Sequence, residues 1–247
     1  MTIQIIRKTP EEKLAGLKRA TVPDNFKEIE QRSPEPISTS TDGRCPTCVH
    51  SSAKVVKGSG KKNSILILGE CPGVQEVASG LPFTGRSGQL LRSVLTGVGI
   101  DPKEVYITNS VICHPPGNLT PTPEVYLGCR ERLLQEIRDV NPTKILTVGA
   151  IAYSALMGLK KVVTLGNVRG QGFWFELDGR KIYTVPTFHP AAVLRDEGLF
   201  RDILRDVAKL NANDAPIPAP RIFENVPADD AEALEFLETL KSASVIS

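Results

Sequence analysis

The sequence predicts an α/β fold, a three-layer αβα sandwich built around a four-stranded parallel sheet. Three observations carry this. Short apolar runs recur near residues 64–69, 105–109, 144–149 and 181–187. Segments with helical apolar spacing separate them. The run Ile65-Leu66-Ile67-Leu68 is continuous rather than alternating, as in a strand buried on both faces. Strands alternating with helices make a parallel sheet covered on both sides.

The elements follow in order. Residues 11–20 read as a short helix, and the proline-containing stretch 33–43 as a linker. An irregular segment holds Cys45 and Cys48, then Lys54, Lys57, Lys61 and Lys62, a solvated charge run for which phosphate contact is the minority reading. The first strand breaks at Gly69-Glu70-Cys71-Pro72-Gly73 into a loop reaching Phe83. In an open α/β sheet such a loop lies where ligands bind, beyond the strand's carboxyl end. A helix over Gly85–Gly97 places Leu90, Leu91, Val94 and Leu95 on one side. The second strand ends at Asn109, and a loop follows over 111–118. Thr122-Pro123-Glu124 is a helix start, with Thr as cap, Pro in the first turn and Glu complementing the dipole. That helix carries Cys129, Leu133, Leu134 and Ile137. The third strand precedes a helix from Ala150, and the fourth runs into Phe188-His189-Pro190-Ala191-Ala192-Val193-Leu194-Arg195. A helix around 199–211 closes the domain. Residues 211–221 form a second linker, 229–240 a helix, and 242–247 the opening of a further strand. The expected organisation is an extension over 1–44, a domain over 45–210, and a linker with the start of another domain or a tail over 211–247.

The chain has 247 residues, enough for one α/β domain with extensions. A net charge of +2 does not announce nucleic-acid binding, although a local basic patch fits within it. No apolar run approaches the ~18 residues of a membrane span, and the first residues lack a signal core. A cytoplasmic protein is expected, or one of the host cytoplasm if a phage encodes it. Five cysteines in such a protein favour metal binding or catalysis over disulfides.

Four of these cysteines form a set. Cys45 and Cys48 make a C-x2-C pair, and Cys113 and Cys129 follow with 15 residues between them. A short turn aims two thiolates at one centre, and four cysteines serve zinc or an iron–sulfur cluster. Spacing alone leaves both open. Cys71 stands apart and reads as an ordinary buried thiol.

Taken in order, several motifs give the chain a family resemblance. They are Gly69-Glu70-Cys71-Pro72-Gly73 with Glu76 and Pro82-Phe83; Asn109 with Cys113-His114-Pro115-Pro116-Gly117-Asn118; Pro121-Thr122-Pro123-Glu124 with Cys129; Arg169-Gly170; and Thr187-Phe188-His189-Pro190-Ala191. Residues 45–210 thereby resemble the uracil-DNA glycosylase superfamily, and within it the family 4 enzymes that carry a 4Fe–4S cluster. The resemblance implies a four-stranded parallel sheet between helices, and a structural cluster on Cys45, Cys48, Cys113 and Cys129. Cys71 departs from the Ala or Gly usual in the family, at the place where the best-known members put a catalytic Asp.

The activity implied is flipping of uracil out of DNA and hydrolysis of its N-glycosidic bond, leaving an abasic site. Asn109 complements the uracil edge, Phe83 stacks on the base, and Gly69 and Cys71 line the pocket. His189 donates to the carbonyl nearest the scissile bond as charge builds there. Glu70 and Glu76 are the water-handling carboxylates, with Glu76 also placed to crowd a thymine methyl. Ala191, Val193, Leu194 and Arg195 face DNA, either Val193 or Leu194 filling the gap left by the flipped base and Arg195 meeting phosphate. His50 and His114 remain loop residues. The expected partner is uracil-containing DNA, bound by a monomer with no membrane association. The ending at 242–247 resembles the lead-in to an exonuclease domain of phage polymerase-like proteins, which would make the chain continuous with a replication protein beyond residue 247. The competing reading is therefore a non-catalytic uracil- or DNA-binding module of such a protein. A zinc-stabilised nucleotide hydrolase is the third and weakest, because the loop over 69–80 lacks the Gly-Lys-Ser/Thr of phosphate cradles.

Overall fold

The computed structural model describes residues 53–211. The expected helices over 11–20 and 229–240, the linker over 33–43, nearly all of that over 211–221, the strand over 242–247, and Cys45, Cys48 and His50 lie outside the described residues.

The strands are β1 (Ser59–Gly60), β2 (Ile65–Gly69), β3 (Val105–Asn109), β4 (Lys144–Val148), β5 (Phe173–Leu177) and β6 (Arg180–Thr187). They form one sheet in the order β1-β3-β2-β4-β6-β5. The inner four, β3-β2-β4-β6, are parallel, as the apolar runs require. The sheet has six strands rather than four, because β1 and β5 add antiparallel edges. The β5 edge closes a hairpin in which Leu177 faces Arg180 across Asp178-Gly179. Both turn residues have positive φ, 51° and 76°, the two-residue turn that suits the strand twist.

The helices are α1 (Val74–Ser79), α2 (Arg86–Gly97), α3 (Pro123–Gly128), α4 (Arg130–Val140), α5 (Ala150–Met157), α6 (Pro190–Val193) and α7 (Phe200–Ala208). The single helix expected from residue 123 is two helices that meet at Cys129.

Alternate residues of the central strand feed opposite cores. Ile67 packs with Leu91, Leu95, Ile203 and Val207 beneath α2 and α7. Leu66 and Leu68 pack with Leu133, Ile137 and Leu156 beneath α4 and α5. This explains the unbroken apolar run of β2. Because β3 and β4 flank β2 on opposite sides, the chain reverses its winding direction there. The crevice beyond the carboxyl ends of β2 and β4 is thus a topological switch point. A third, smaller cluster gathers Val111, Ile112, Cys113, Tyr126, Cys129 and Ile151 at the end of α3. Among the described residues, no helix is long and apolar enough to cross a membrane.

Candidate active site

A cavity of about 370 Å³ opens at this switch point, within the range of small-ligand sites. Glu70, Cys71, Glu76, Phe83, Asn109, His189, Ala191 and Arg195 line it, with Ser87, Asn118, Leu119 and Thr120 at its margin. The residues selected from the loop after β2, the tip of β3 and the end of β6 therefore meet in one place.

Asn109 is only 2% exposed, and its Oδ1 is buried with no hydrogen-bond partner among the described residues. A buried amide oxygen left unpaired is costly, so this atom stands to gain from a donor brought into the cavity. Gly69 makes room for it. A Cβ there would lie 2.3 Å from Asn109 Oδ1 and 2.4 Å from the Phe83 ring. Phe83 is buried and holds a left-handed backbone, φ 54°, an unfavourable state for a bulky residue. Gly88 of α2 permits it, since a Cβ at 88 would fall 1.8 Å from the Phe83 carbonyl oxygen.

His189 is half-buried, with its ring centroid 5.9 Å from that of Phe83 and the planes tilted by 31°. Its Nδ1 accepts the Ala191 N–H at 3.1 Å. An accepting Nδ1 leaves the hydrogen of a neutral imidazole on Nε2. Burial first, then the nearby Arg195 charge, holds the His189 pKa down at about 4. The ring is therefore a neutral donor at physiological pH.

The two carboxylates differ. Glu76 accepts from Gly73 N–H through Oε2 at 3.0 Å and from Gly85 N–H through Oε1 at 3.1 Å. It thus staples the start of α1 to the start of α2, a structural task the sequence reading did not assign. Glu70 lines the cavity, and no described residue hydrogen-bonds its carboxylate. Burial raises its pKa above the ordinary glutamate value of 4.5. Cys71 is pushed up to about 12, by burial and then by Glu70 and Glu76, so its thiol stays protonated.

The DNA-side residues need one correction. Val193, offered beside Leu194 as a filling side chain, is fully buried against the α2–α7 core. Its place on the inner face of α6 turns it away from solvent. Leu194 is half-buried, Ala191 half-buried and Arg195 exposed. Across the cavity margin, Leu119 is 69% exposed, a feature that its loop sequence did not signal.

Two buried networks support the strand tips, and the sequence reading missed both. Arg132 Nη2 donates to the carbonyls of Asn109 and Ser110, each at 2.9 Å. Arg169 pairs with Asp206 at 3.1 Å and Asp202 at 3.0 Å. Its guanidinium carbon also lies over the Phe188 ring, 5.0 Å from the centroid. Asp206 in turn accepts from Thr187 Oγ1 at 3.0 Å.

The sequence model of the uracil DNA glycosylase superfamily matches residues 57–211. The chain belongs to this superfamily. It is 41% identical over 172 residues to a type-4 uracil-DNA glycosylase of Thermotoga maritima, covering 67% of this chain and 87% of the relative. It is 38% identical over 169 residues to the type-4 uracil-DNA glycosylase of Pyrobaculum aerophilum, covering 67% and 85%. A DNA polymerase of Bacillus phage SP01 is 36% identical over 144 residues, 58% of this chain and 15% of the polymerase. As a superfamily member, the chain places its cavity-lining motifs on the loops after β2, β3 and β6.

Two of the four cysteines in the set lie among the described residues, where no group of three metal-ligating side chains gathers. Cys113 and Cys129 are both buried in the small cluster at the end of α3. Residues 54–56 run beside Cys113: Val55 bridges Cys113, Val56 N–H donates to Ile112 O at 2.9 Å, and His114 N–H donates to Lys54 O at 3.0 Å. His114 Nδ1 also contacts Pro72 O at 2.8 Å, so the cysteine loop is tied to the cavity loop.

Proposed function

We propose that the protein is a monofunctional uracil-DNA glycosylase, and the observation that carries this is the orphaned, buried Oδ1 of Asn109 facing a neutral His189 across one cavity. An amide that accepts through Oδ1 and donates through Nδ2 matches the N3–H and O4 edge of uracil. Cytosine presents an acceptor and a donor in the reverse order. Phe83 supplies the stacking face.

Flipping the nucleotide out of duplex DNA costs a few kcal/mol. Arg195 on the exposed rim meets phosphate, and Leu194 with Ala191 approaches the groove. In the chemical step the C1′–N1 bond breaks and its electron pair leaves with uracil. His189 Nε2–H donates to O2 of the departing base as negative charge grows there. Water adds to C1′ and passes its proton to Glu70. Glu70 is preferred over Glu76 for this step because both Glu76 oxygens already hold backbone N–H groups. Cys71 lines the pocket as a neutral thiol.

Cys45, Cys48, Cys113 and Cys129 would hold the 4Fe–4S cluster that the family 4 resemblance implies. When bound, it supplies a covalent cross-link between the entry segment and the α3–α4 joint. The match to the phage polymerase favours a second reading, in which the domain serves as a uracil-recognising module of a larger replication chain.

The test is incubation of the purified protein with a labelled oligonucleotide holding one uracil, followed by alkaline cleavage of abasic sites. A break at uracil and none at cytosine or thymine is expected. Retained uracil-DNA binding without a break, in protein with intact iron content, would replace the enzyme by the module.

A further inference from the structure

Among the described residues, the tip of β3 has no strand neighbour on its outer edge, because β1 pairs only with Tyr106 and Ile107. Ser110 N–H turns inward to Gly69 O at 2.9 Å. In a trans peptide the carbonyl points opposite to the N–H, so the Asn109 carbonyl faces outward. Arg132 fills the vacant place. One Nη2 takes both the Asn109 and the Ser110 carbonyl at 2.9 Å. Its side chain is 9% exposed.

Glu136, one turn along α4, holds the guanidinium through Nη1 at 2.5 Å. The same carboxylate accepts from Tyr106 OH at 3.1 Å and Thr108 Oγ1 at 3.0 Å. These two side chains leave β3 on the same face, so Glu136 fixes the guanidinium relative to the strand that carries Asn109. Arg132 Nε is meanwhile buried with no partner among the described residues. The guanidinium is thus tied through Nη1 to Glu136 and through Nη2 to the two carbonyls at the strand tip.

We infer that Arg132, held by Glu136, aims the Asn109 amide at the base and is a positioning residue for uracil selection. This rests on the glycosylase reading of the same cavity. Moving the peptide at Asn109 moves Oδ1 and Nδ2 together, so an error there weakens recognition of the uracil edge and leaves contacts to the DNA backbone in place.

Arg130 gives a matched control. It sits on the same helix, and its Nε and Nη2 donate to Leu156 O at 3.3 and 3.1 Å, away from the cavity. Arg132→Met, Arg132→Lys and Arg130→Met are compared with the parent full chain below their melting temperatures. The readouts are single-turnover excision, inhibition by free uracil and affinity for abasic-site DNA. Arg132→Met is expected to lose at least tenfold in excision and in uracil inhibition relative to Arg130→Met, about the worth of one hydrogen bond from a charged donor. Abasic-DNA affinity stays at the parent value, and Arg132→Lys recovers part of the loss. Equal losses in Arg132→Met and Arg130→Met, or a parallel fall in abasic-DNA affinity, would overturn the positioning role. Should the parent protein excise nothing, the glycosylase reading fails first. The side-chain amide resonance of Asn109 then decides the inference, which requires it to shift in Arg132→Met and not in Arg130→Met.

Discussion

Asn109 and His189 face one cavity from two strand ends, and the two ends are built on different principles. Asn109 is the last residue of β3, almost wholly buried, with its main chain gripped by Arg132 from helix α4. His189 lies two residues beyond β6, half-buried, and its imidazole is oriented locally by Ala191 N–H. The support behind it is a carboxylate network: Arg169 stacks on Phe188 and pairs with Asp206, which holds Thr187. The difference suits the two tasks proposed for these residues. Reading a base edge demands a dry site whose polar atoms go unpaired with the wrong base. On the proposed reading, stabilising a developing charge needs a neutral donor that bound DNA then seals from water.

The largest effect expected is on the His189 side. Arg169→Met leaves Asp206 buried with its charge uncompensated by the guanidinium, at a cost of about 3–5 kcal/mol. Thermal or urea unfolding measures it. A loss below about 1 kcal/mol, the scale of an exposed pair, would show that Asp206 is neutral in the fold and that the network is not an ionic one.

Much of this frame was legible in the sequence. The apolar runs located the four parallel strands, and the residues at their tips converge as the fold class requires. Other parts were written in longer-range terms. The hairpin of β5 had a local signal, Asp178-Gly179 between apolar runs, which the reading passed over. Val193 could be assigned to the core only once α6 was seen to pack its inner face on α2 and α7. Arg132 and Glu136 carry the spacing of an ordinary surface ion pair on a helix; only the sheet order reveals that they lie under the tip of β3. Glu76 is similar, because its second partner, Gly85, depends on how the loop between α1 and α2 folds back.

Replacing the two recognition residues sharpens the comparison. His189→Ala removes one donor to the departing base, for a loss of about 10²–10³ in the single-turnover rate, with uracil-DNA affinity close to the parent. Asn109→Ala should lower affinity and rate together, since its contacts exist before and during bond cleavage. Titrating each variant with uracil-containing DNA under single-turnover conditions separates the cases. Identical patterns would mean that the two ends share one task.

The pH profile tests the same division more gently. Glu70 has a raised pKa, and its protonated form takes no proton from water, so excision falls as pH drops through that raised value, toward tenfold per unit well below it. His189 remains neutral down to about pH 4 and adds no limb above that. Glu70→Gln should flatten the acid limb and lower the plateau, whereas His189→Asn keeps the limb where it is. Stability carries its own signature. The unfolded chain protonates its histidine near 6.5 and the folded chain near 4, so the His189 contribution is lost as pH falls between those values. Urea midpoints of the parent and His189→Asn between pH 7 and 4 measure that difference.

The smallest effect is expected at Cys71, where the family resemblance leads one to expect Ala or Gly. A thiol with its pKa pushed up to about 12 is neither a base nor an anion at physiological pH. It lines the same cavity as Asn109 and His189 and packs partly against the cluster that buries Cys113. Cys71→Ala should therefore excise uracil at a rate within about threefold of the parent, under 1 kcal/mol in barrier. A tenfold loss that iron content and melting temperature do not explain would place the thiol in direct contact with the attacking water, and the assignment of that water to Glu70 would have to be shared.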